Sequence, residues 1–106
     1  MLEKELEQLF RKRLIELGCL PLKFVSPGMA GVPDRIVLIP GGHVVFVELK
    51  RPGEVLRPLQ RYTAEKFSHL GFPVFVVDSE SSLALFIQYL EQYYGKWRYE
   101  RKRTEH

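Results

Sequence analysis

The fold of this 106-residue chain is decided by one stretch, Pro33-Asp34-Arg35-Ile36-Val37-Leu38-Ile39-Pro40-Gly41-Gly42-His43-Val44-Val45-Phe46-Val47-Glu48-Leu49-Lys50. Two apolar, β-branched runs flank a short Pro/Gly break at 40–42, and glycine supplies the positive φ angles that tight turns need. The stretch therefore predicts a β-hairpin. Both runs are apolar on both pleat faces, which is typical of central strands covered above and below.

The register of the hairpin decides whether its charged residues meet. With a three-residue loop at 40–42, Asp34 lies directly opposite Glu48, and their Cβ atoms are about 4.5–5.5 Å apart. Strand alternation then places Lys50 on the same face as Glu48. Two carboxylates so close repel each other, and a divalent cation such as Mg²⁺ is the simplest compensation. A two-residue loop at 41–42 would instead turn Asp34 and Glu48 to opposite faces, since a one-residue slip inverts the pleat.

Three short motifs resemble the VRR-NUC family, the virus-type replication and repair nucleases of the PD-(D/E)xK superfamily. They are Gly31-Val32-Pro33-Asp34-Arg35, then Phe46-Val47-Glu48-Leu49-Lys50, and finally Leu59-Gln60. The resemblance extends from Glu7 to about Leu90. By itself the Glu-x-Lys triplet is also typical of a surface strand that carries an ion pair. The three motifs in this order favour the nuclease interpretation.

The resemblance implies a restriction-endonuclease-like α/β core, with a four-stranded mixed sheet flanked by helices. It also implies metal-assisted hydrolysis of phosphodiester bonds with Mg²⁺ or Mn²⁺ as the cofactor. The implied metal ligands are Asp34, Glu48, the Leu49 carbonyl and, from the first helix, Glu7. The implied catalytic residues are Asp34, Glu48, Lys50 and Gln60. The resemblance also implies that Gln60 bonds to the attacking water or to a metal-bound carboxylate.

Two of these residues also have plainer interpretations. Glu7 could be an exposed helix residue that pairs with Arg11 at i+4. Gln60 could be an ordinary capping or surface glutamine. Its position at the head of a helix face that continues with Ala64 and Phe67 nevertheless predicts an inward amide, which then needs hydrogen-bond partners.

The remaining elements follow from hydrophobic periodicity and from Gly and Pro signals. We predict a helix at 2–17, a strand at 20–26 that starts near Pro21, the two hairpin strands, a helix from 57 or 58 to 70, a strand at 73–77, and a last helix that begins after Ser79 or Ser82. The order α-β-β-β-α-β-α predicts an α/β sheet with helices on both faces.

Composition indicates one globular domain, since 45% of residues are hydrophobic and 27% are charged. The single cysteine, Cys19, allows no internal disulfide and fits a reducing compartment. The chain shows no signal peptide and no apolar run of membrane-spanning length. These features predict a protein of the cytoplasm, in a bacterium or a phage-infected host, without a membrane partner.

The formal charge of +3 is concentrated at the C-terminal end, where residues 96–106 hold five Lys/Arg and two Glu. We therefore divide the chain into a nuclease domain at 1–95 and a basic tail at 96–106. Trp97 and Tyr99 lie among the basic residues, a mixture that suits nucleic acid because rings stack on unpaired bases. A solvated, frayed terminus is an equally good interpretation of the tail. Within the domain, the candidate phosphate contacts are Lys23, Arg51, Arg57 and Arg61.

These observations predict a structure-selective DNA endonuclease that cuts branched DNA, especially four-way (Holliday) junctions, in repair or recombination. We expect a homodimer, because a symmetric dimer places two active sites at a fixed distance and can cut two strands of a symmetric junction. The alternative is a non-cleaving module that binds branched DNA, or an accessory subunit of a helicase, with a nuclease-like fold. The intact set of Asp34, Glu48 and Lys50 favours the enzyme.

Overall fold

The computed structural model describes residues 2–95, and its elements follow the predicted order. They are α1 (Glu3–Glu16), β1 (Leu20–Lys23), β2 (Arg35–Ile39), β3 (His43–Leu49), α2 (Pro58–His69), β4 (Val74–Val77) and α3 (Glu80–Tyr94). The basic tail at 96–106 lies outside the described residues, so its contact with DNA stays a prediction. Within the described part of the chain, no helix is long and apolar enough to cross a membrane.

The hairpin closes with the three-residue turn, and Gly41 and Gly42 adopt φ angles of 95° and 85°. A side chain would make this backbone conformation costly, which explains the two glycines. Ile39 pairs with His43, and the ladder continues in the same register to Arg35 and Val47. One step beyond that last pair, Asp34 lies opposite Glu48. The register with the three-residue loop is therefore correct, and the slipped register is wrong.

The four strands form one mixed sheet in the order β1-β2-β3-β4, in which β1, β2 and β3 are antiparallel neighbours and β3 pairs in parallel with β4. The two hairpin strands are central, as predicted. Strand β1 is an edge, where Pro21 is tolerated because its missing N–H faces no partner strand. This strand ends at Lys23 rather than at residue 26. The reason is that its partner strand starts only at Arg35, so Phe24 is the last residue to bond across, to the carbonyl of Asp34 at 2.9 Å.

Helices α1 and α3 pack on one face of the sheet and form an aliphatic core with it. Side chains of the central strands alternate onto this face, so that every second residue joins the core. Its members with no exposed surface are Phe10, Leu14, Val37, Val45, Val47, Val77 and Leu83. This face contributes most of the burial that stabilises the domain.

Helix α2 covers the opposite face, but only in part. Phe46 on β3 contacts Phe67 on α2, with ring centroids 4.8 Å apart. Over β1 and towards the hairpin turn this face is open, and Leu20, Leu22 and Leu38 are 51%, 40% and 37% exposed. We call these three residues the leucine patch. Complete cover of the central strands was therefore a wrong expectation at the turn end, because α2 is only 12 residues long and lies near the other end of the hairpin.

Candidate active site

Three polar side chains are buried together where the hairpin strands open out. Glu48, Lys50 and Gln60 are only 6%, 8% and 7% exposed. Glu48 and Phe46 are two residues apart on β3, so both point to the face that α2 covers. Buried charges are costly unless they are paired or hydrogen-bonded, and such clusters mark candidate functional sites.

Gln60 holds this cluster together. Its Nε2 donates to Oε1 of Glu48 at 3.4 Å, and its Oε1 accepts from Nζ of Lys50 at 3.0 Å. The same oxygen accepts the backbone N–H of Arg57 at 2.9 Å, so Gln60 also caps the start of α2. Both the inward orientation and the capping interpretation are thus correct. The amide fixes one carboxylate and one ammonium relative to the first turn of a helix.

Asp34 joins the cluster from the neighbouring strand. Its Oδ1 accepts the backbone N–H of Leu49 at 3.1 Å, a contact that the hairpin register makes possible. Its Oδ2 lies 3.3 Å from Nη1 of Arg35. The structure therefore brings Asp34, Glu48, Lys50 and Gln60 to one end of the sheet, while Leu49 offers its amide to Asp34.

Burial disfavours the ionisation of both carboxylates. Burial and, after it, the nearby charge of Asp34 raise the pKa of Glu48 to about 7, against the opposing effect of Lys50. Burial also raises the pKa of Asp34, although the Leu49 N–H and the Arg35 guanidinium oppose that rise. Both shifts have the sign expected of acids that are removed from water.

Arg35 and Glu7 form a second polar contact at the same end of the sheet. Arg35 faces Val47 across the ladder, so it points to the α1 face, where its Nη2 lies 3.1 Å from Oε1 of Glu7. The partner of Glu7 is thus Arg35 and not Arg11. The ion pair between Arg35 and Glu7 was not predicted from the sequence. Strand alternation next to Asp34 was the signal that Arg35 would point towards the first helix.

The residues present fit a hard divalent cation. Among residues 2–95, no three His, Cys, Asp or Glu side chains come together as a metal-binding group. Asp34 and Glu48 nevertheless supply two adjacent carboxylates, and burial together with the charge of Asp34 raises the pKa of Glu48. Mg²⁺ and Mn²⁺ prefer oxygen ligands, and Mg²⁺ commonly binds through one or two carboxylates with waters and substrate phosphates as its other ligands. Metal ligation by the Leu49 carbonyl and by Glu7 stays a prediction.

The loop before Asp34 is pressed against the start of α2. Gly31 has a φ angle of +80°, and a Cβ atom there would lie 2.8 Å from Cγ and 2.9 Å from the carbonyl oxygen of Leu59. Thr63, which is fully buried, donates its hydroxyl to the carbonyl of Ala30 at 3.4 Å. These contacts set the position of Asp34 relative to Gln60 on α2. Gly31 is therefore required by close approach as well as by its backbone angle.

The predicted phosphate contacts lie at the surface. Lys23, Arg57 and Arg61 are exposed, and so is Arg51, whose Nε lies 3.5 Å from Oε2 of Glu3. An exposed pair of this kind is weak and is easily exchanged for a phosphate. Binding of DNA by these four residues stays a prediction.

No protein-family profile matches the chain. The chain is 44% identical over 78 residues to "Putative nuclease p44" of Acyrthosiphon pisum secondary endosymbiont phage 1, a match that covers 74% of this chain and 84% of that protein. A solved structure described as "VRR_NUC domain" has a TM-score of 0.73 and 31% identity, covering 87% of this chain and 96% of its own. A second, described as "VRR_NUC domain protein", shares the fold at a TM-score of 0.66 and 18% identity, covering 86% of this chain and 89% of its own.

Proposed function

Because the chain belongs to the VRR-NUC family of nucleases, we propose that it is a metal-dependent, structure-selective DNA endonuclease. It hydrolyses phosphodiester bonds in branched DNA, with four-way junctions as the preferred substrate. The observation that carries the proposal is the buried set of Glu48, Lys50 and Gln60 beside Asp34, which a purely structural domain would not need. Its place of action is the cytoplasm of a bacterium or a phage-infected host, as suggested by the phage source of its relative.

Asp34 and Glu48 are the residues that would hold Mg²⁺ or Mn²⁺, with the Leu49 carbonyl as a further ligand. A bound divalent cation lowers the pKa of water and stabilises negative charge on the phosphoryl oxygens. The protein has already placed both carboxylates on the same face by the hairpin register. The 3.1 Å bond from the Leu49 N–H restrains Asp34 before any substrate arrives.

Lys50 is the residue that would face the reacting phosphate. Gln60 takes one of its N–H groups at 3.0 Å, which leaves the ammonium two donors for a phosphoryl oxygen or the attacking water. A preorganised cation of this kind stabilises the charge that develops as the water–phosphorus bond forms and the bond to the leaving oxygen breaks. Gln60 acts through Glu48 and Lys50 and is therefore a positioning residue.

The cleavage assay tests this proposal directly. Labelled four-way junction, splayed-arm and duplex DNA are incubated with the protein in Mn²⁺ or in EDTA. We expect products from the junction in Mn²⁺ and none in EDTA. Asp34→Asn and Lys50→Ala should each lower the rate at least about 100-fold while leaving DNA binding largely intact, because only the chemical step needs them. Lys12→Ala, at an exposed lysine of α1, is the control and should cut normally.

Two outcomes of that assay oppose the proposal. Continued cleavage by Asp34→Asn would mean that the reacting groups lie elsewhere. Retardation of all three DNAs with no product, at any enzyme concentration, would favour the non-cleaving DNA-binding module.

We further propose a homodimer that forms through the leucine patch. Leu20 is paired with Leu38 across β1 and β2, and this pair lies towards the turn end of the sheet, away from Asp34 and Glu48, with Leu22 one step along the same face. Two copies joined there would leave both sites open to DNA. Sedimentation velocity at micromolar concentration should report a dimer, and Leu38→Glu should report a monomer. Leu85→Glu, at a leucine of α3 that is 66% exposed, should remain a dimer; a monomeric wild type would contradict this proposal.

A further inference from the structure

Arg35 is the most buried member of a three-residue ion-pair group. Its side chain is 12% exposed, compared with 33% for Glu7 and 38% for Asp34. Its guanidinium bonds to Oε1 of Glu7 at 3.1 Å, to Oδ2 of Asp34 at 3.3 Å and to the Asp34 carbonyl at 3.0 Å. The planar group thus connects α1 to the start of β2 through acceptors on both. Such a rigid, multivalent arrangement is what guanidinium provides and an ammonium does not.

The distribution of charge around this group is uneven. Glu7, Asp34 and Glu48 bring three carboxyl groups to one end of the sheet. The nearby ammonium of Lys50 donates a hydrogen bond to Oε1 of Gln60. In the part of the chain that the structure describes, the ion pairs of Glu7 and Asp34 are both made to Arg35.

Arg35 also contacts Oδ2 of Asp34, a carboxylate oxygen that a metal ion would use. Oδ1 of Asp34 accepts the Leu49 N–H, and Oδ2 faces Arg35. A cation that binds Oδ2 must therefore share that oxygen with the guanidinium or replace it. A fixed positive charge at this distance also repels a divalent cation.

We propose that Arg35 is a positioning residue that serves as a built-in counter-cation of the site. It keeps Glu7 and Asp34 together in the metal-free protein, and it weakens the binding of the divalent cation so that the metal stays exchangeable. This inference rests on the metal dependence in the proposed function.

The test measures Mn²⁺ binding to the full chain by calorimetry, together with thermal unfolding in EDTA and in Mn²⁺. Arg35→Gln should unfold at a lower temperature in EDTA, because Glu7 and Asp34 lose their shared partner. It should bind Mn²⁺ about tenfold more tightly, because a repelling charge is gone. The rise in unfolding temperature on adding Mn²⁺ should accordingly exceed that of the wild type.

Two further variants separate this role from a merely structural one. Arg35→Lys keeps the charge but cannot bridge both carboxylates, so it should lower the unfolding temperature in EDTA and change Mn²⁺ affinity less than about threefold. Lys12→Gln removes one positive charge at an exposed position of α1 and should change neither quantity. If Arg35→Gln does not fold, Arg35→Lys still tests the proposal. A tenfold change in the Mn²⁺ affinity of Arg35→Lys would overturn it.

The outcomes distinguish this inference from the proposed function. If the wild type binds no Mn²⁺, the metal dependence itself is wrong. If the wild type binds Mn²⁺ and Arg35→Gln binds it equally or more weakly, only the inference about Arg35 is overturned. A lower unfolding temperature with unchanged Mn²⁺ affinity would show that Arg35 is simply a structural connection between α1 and β2.

Discussion

The two faces of the sheet bury different chemistry. The face under α1 and α3 is aliphatic and aromatic, and its core residues such as Phe10 and Leu83 have no exposed surface. The four buried polar residues described, Glu48, Lys50, Gln60 and Thr63, all belong to the α2 side. The first face supplies stability through the hydrophobic effect, and the second gives up some of that stability to hold charged groups in fixed positions.

The residues that helix α2 buries show the same difference between the two faces. Its two buried residues are Gln60 and Thr63, whereas α1 buries Leu6, Phe10 and Leu14. The helix is therefore attached by directed hydrogen bonds and by the half-buried ring of Phe67 instead of by a wide apolar stripe. Positions set by hydrogen bonds are well defined in direction, which is what a reacting site requires.

The largest effect on stability should come from the α1 and α3 face. Phe10→Ala should lower the free energy of unfolding by about 3–5 kcal/mol, because it removes a fully buried ring and leaves a cavity. Urea unfolding measures this loss. Ile15→Ala, at a residue of the same helix that is 52% exposed, should cost less than about 1 kcal/mol. Equal losses would contradict the assignment of the main core to this face.

An intermediate effect should come from the backbone contact that aligns the α2 side. Gly31→Ala should cost about 1–3 kcal/mol, because its φ angle is +80° and the new Cβ would meet Leu59 at under 3 Å. Cleavage should fall in the same variant, since the loop that leads to Asp34 has to move. Gly28→Ala has nothing within 4 Å of its new Cβ and should leave stability and cleavage close to the wild type.

The buried carboxylate of Glu48 should make the metal-free protein less stable as the pH rises, whereas an ordinary ion-paired acid makes a protein more stable. The pKa of Glu48 in the folded protein, about 7, lies above its ordinary value of 4.5. Between these values the folded protein keeps a proton that the unfolded chain releases, so the metal-free stability should fall as the pH rises from about 4.5 to 7. Glu48→Gln should remove most of this fall and raise stability at pH 8 by about 1–2 kcal/mol.

Urea unfolding in EDTA over this pH range provides the measurement. Added Mn²⁺ should restore the stability of the wild type at pH 8, because the metal favours the ionised carboxylate, and should do little for Glu48→Gln. If the stability of the wild type did not change from pH 4.5 to 7, the surroundings of Glu48 would not raise its pKa.

The smallest effect should come from Asp78, the residue that follows β4. Its carboxylate accepts the Gly53 N–H at 3.2 Å and the Ser82 hydroxyl at 3.1 Å, and these bonds hold its pKa below the ordinary value of 3.8. Its contribution is therefore present above about pH 4 and lost as the pH falls through the lowered value. Asp78→Asn should cost a few tenths of a kcal/mol at pH 7, because the site is open to solvent. Thermal unfolding should show a larger difference from wild type at pH 7 than at pH 3.

The sequence by itself determined the hairpin, the central position of its strands and the order of the elements. Alternation also placed Lys50 on the face of Glu48, and helical spacing predicted an inward Gln60, because both are local properties that a chain carries in its own pattern. The grouping of these residues with Asp34 came from the resemblance to the VRR-NUC family. The choice between two hairpin registers stayed open, since both loops are compatible with the two glycines.

The tertiary structure alone decided that register, the open leucine patch and the pairing of Glu7 with Arg35. Each of these features depends on which distant elements meet in the fold and on how much of the sheet a helix covers. Hydrophobic periodicity carries no information about the length of a helix relative to the sheet below it. Arg35 shows the reason most clearly: alternation gives the direction of its side chain, but its partner belongs to a helix 28 residues earlier in the chain.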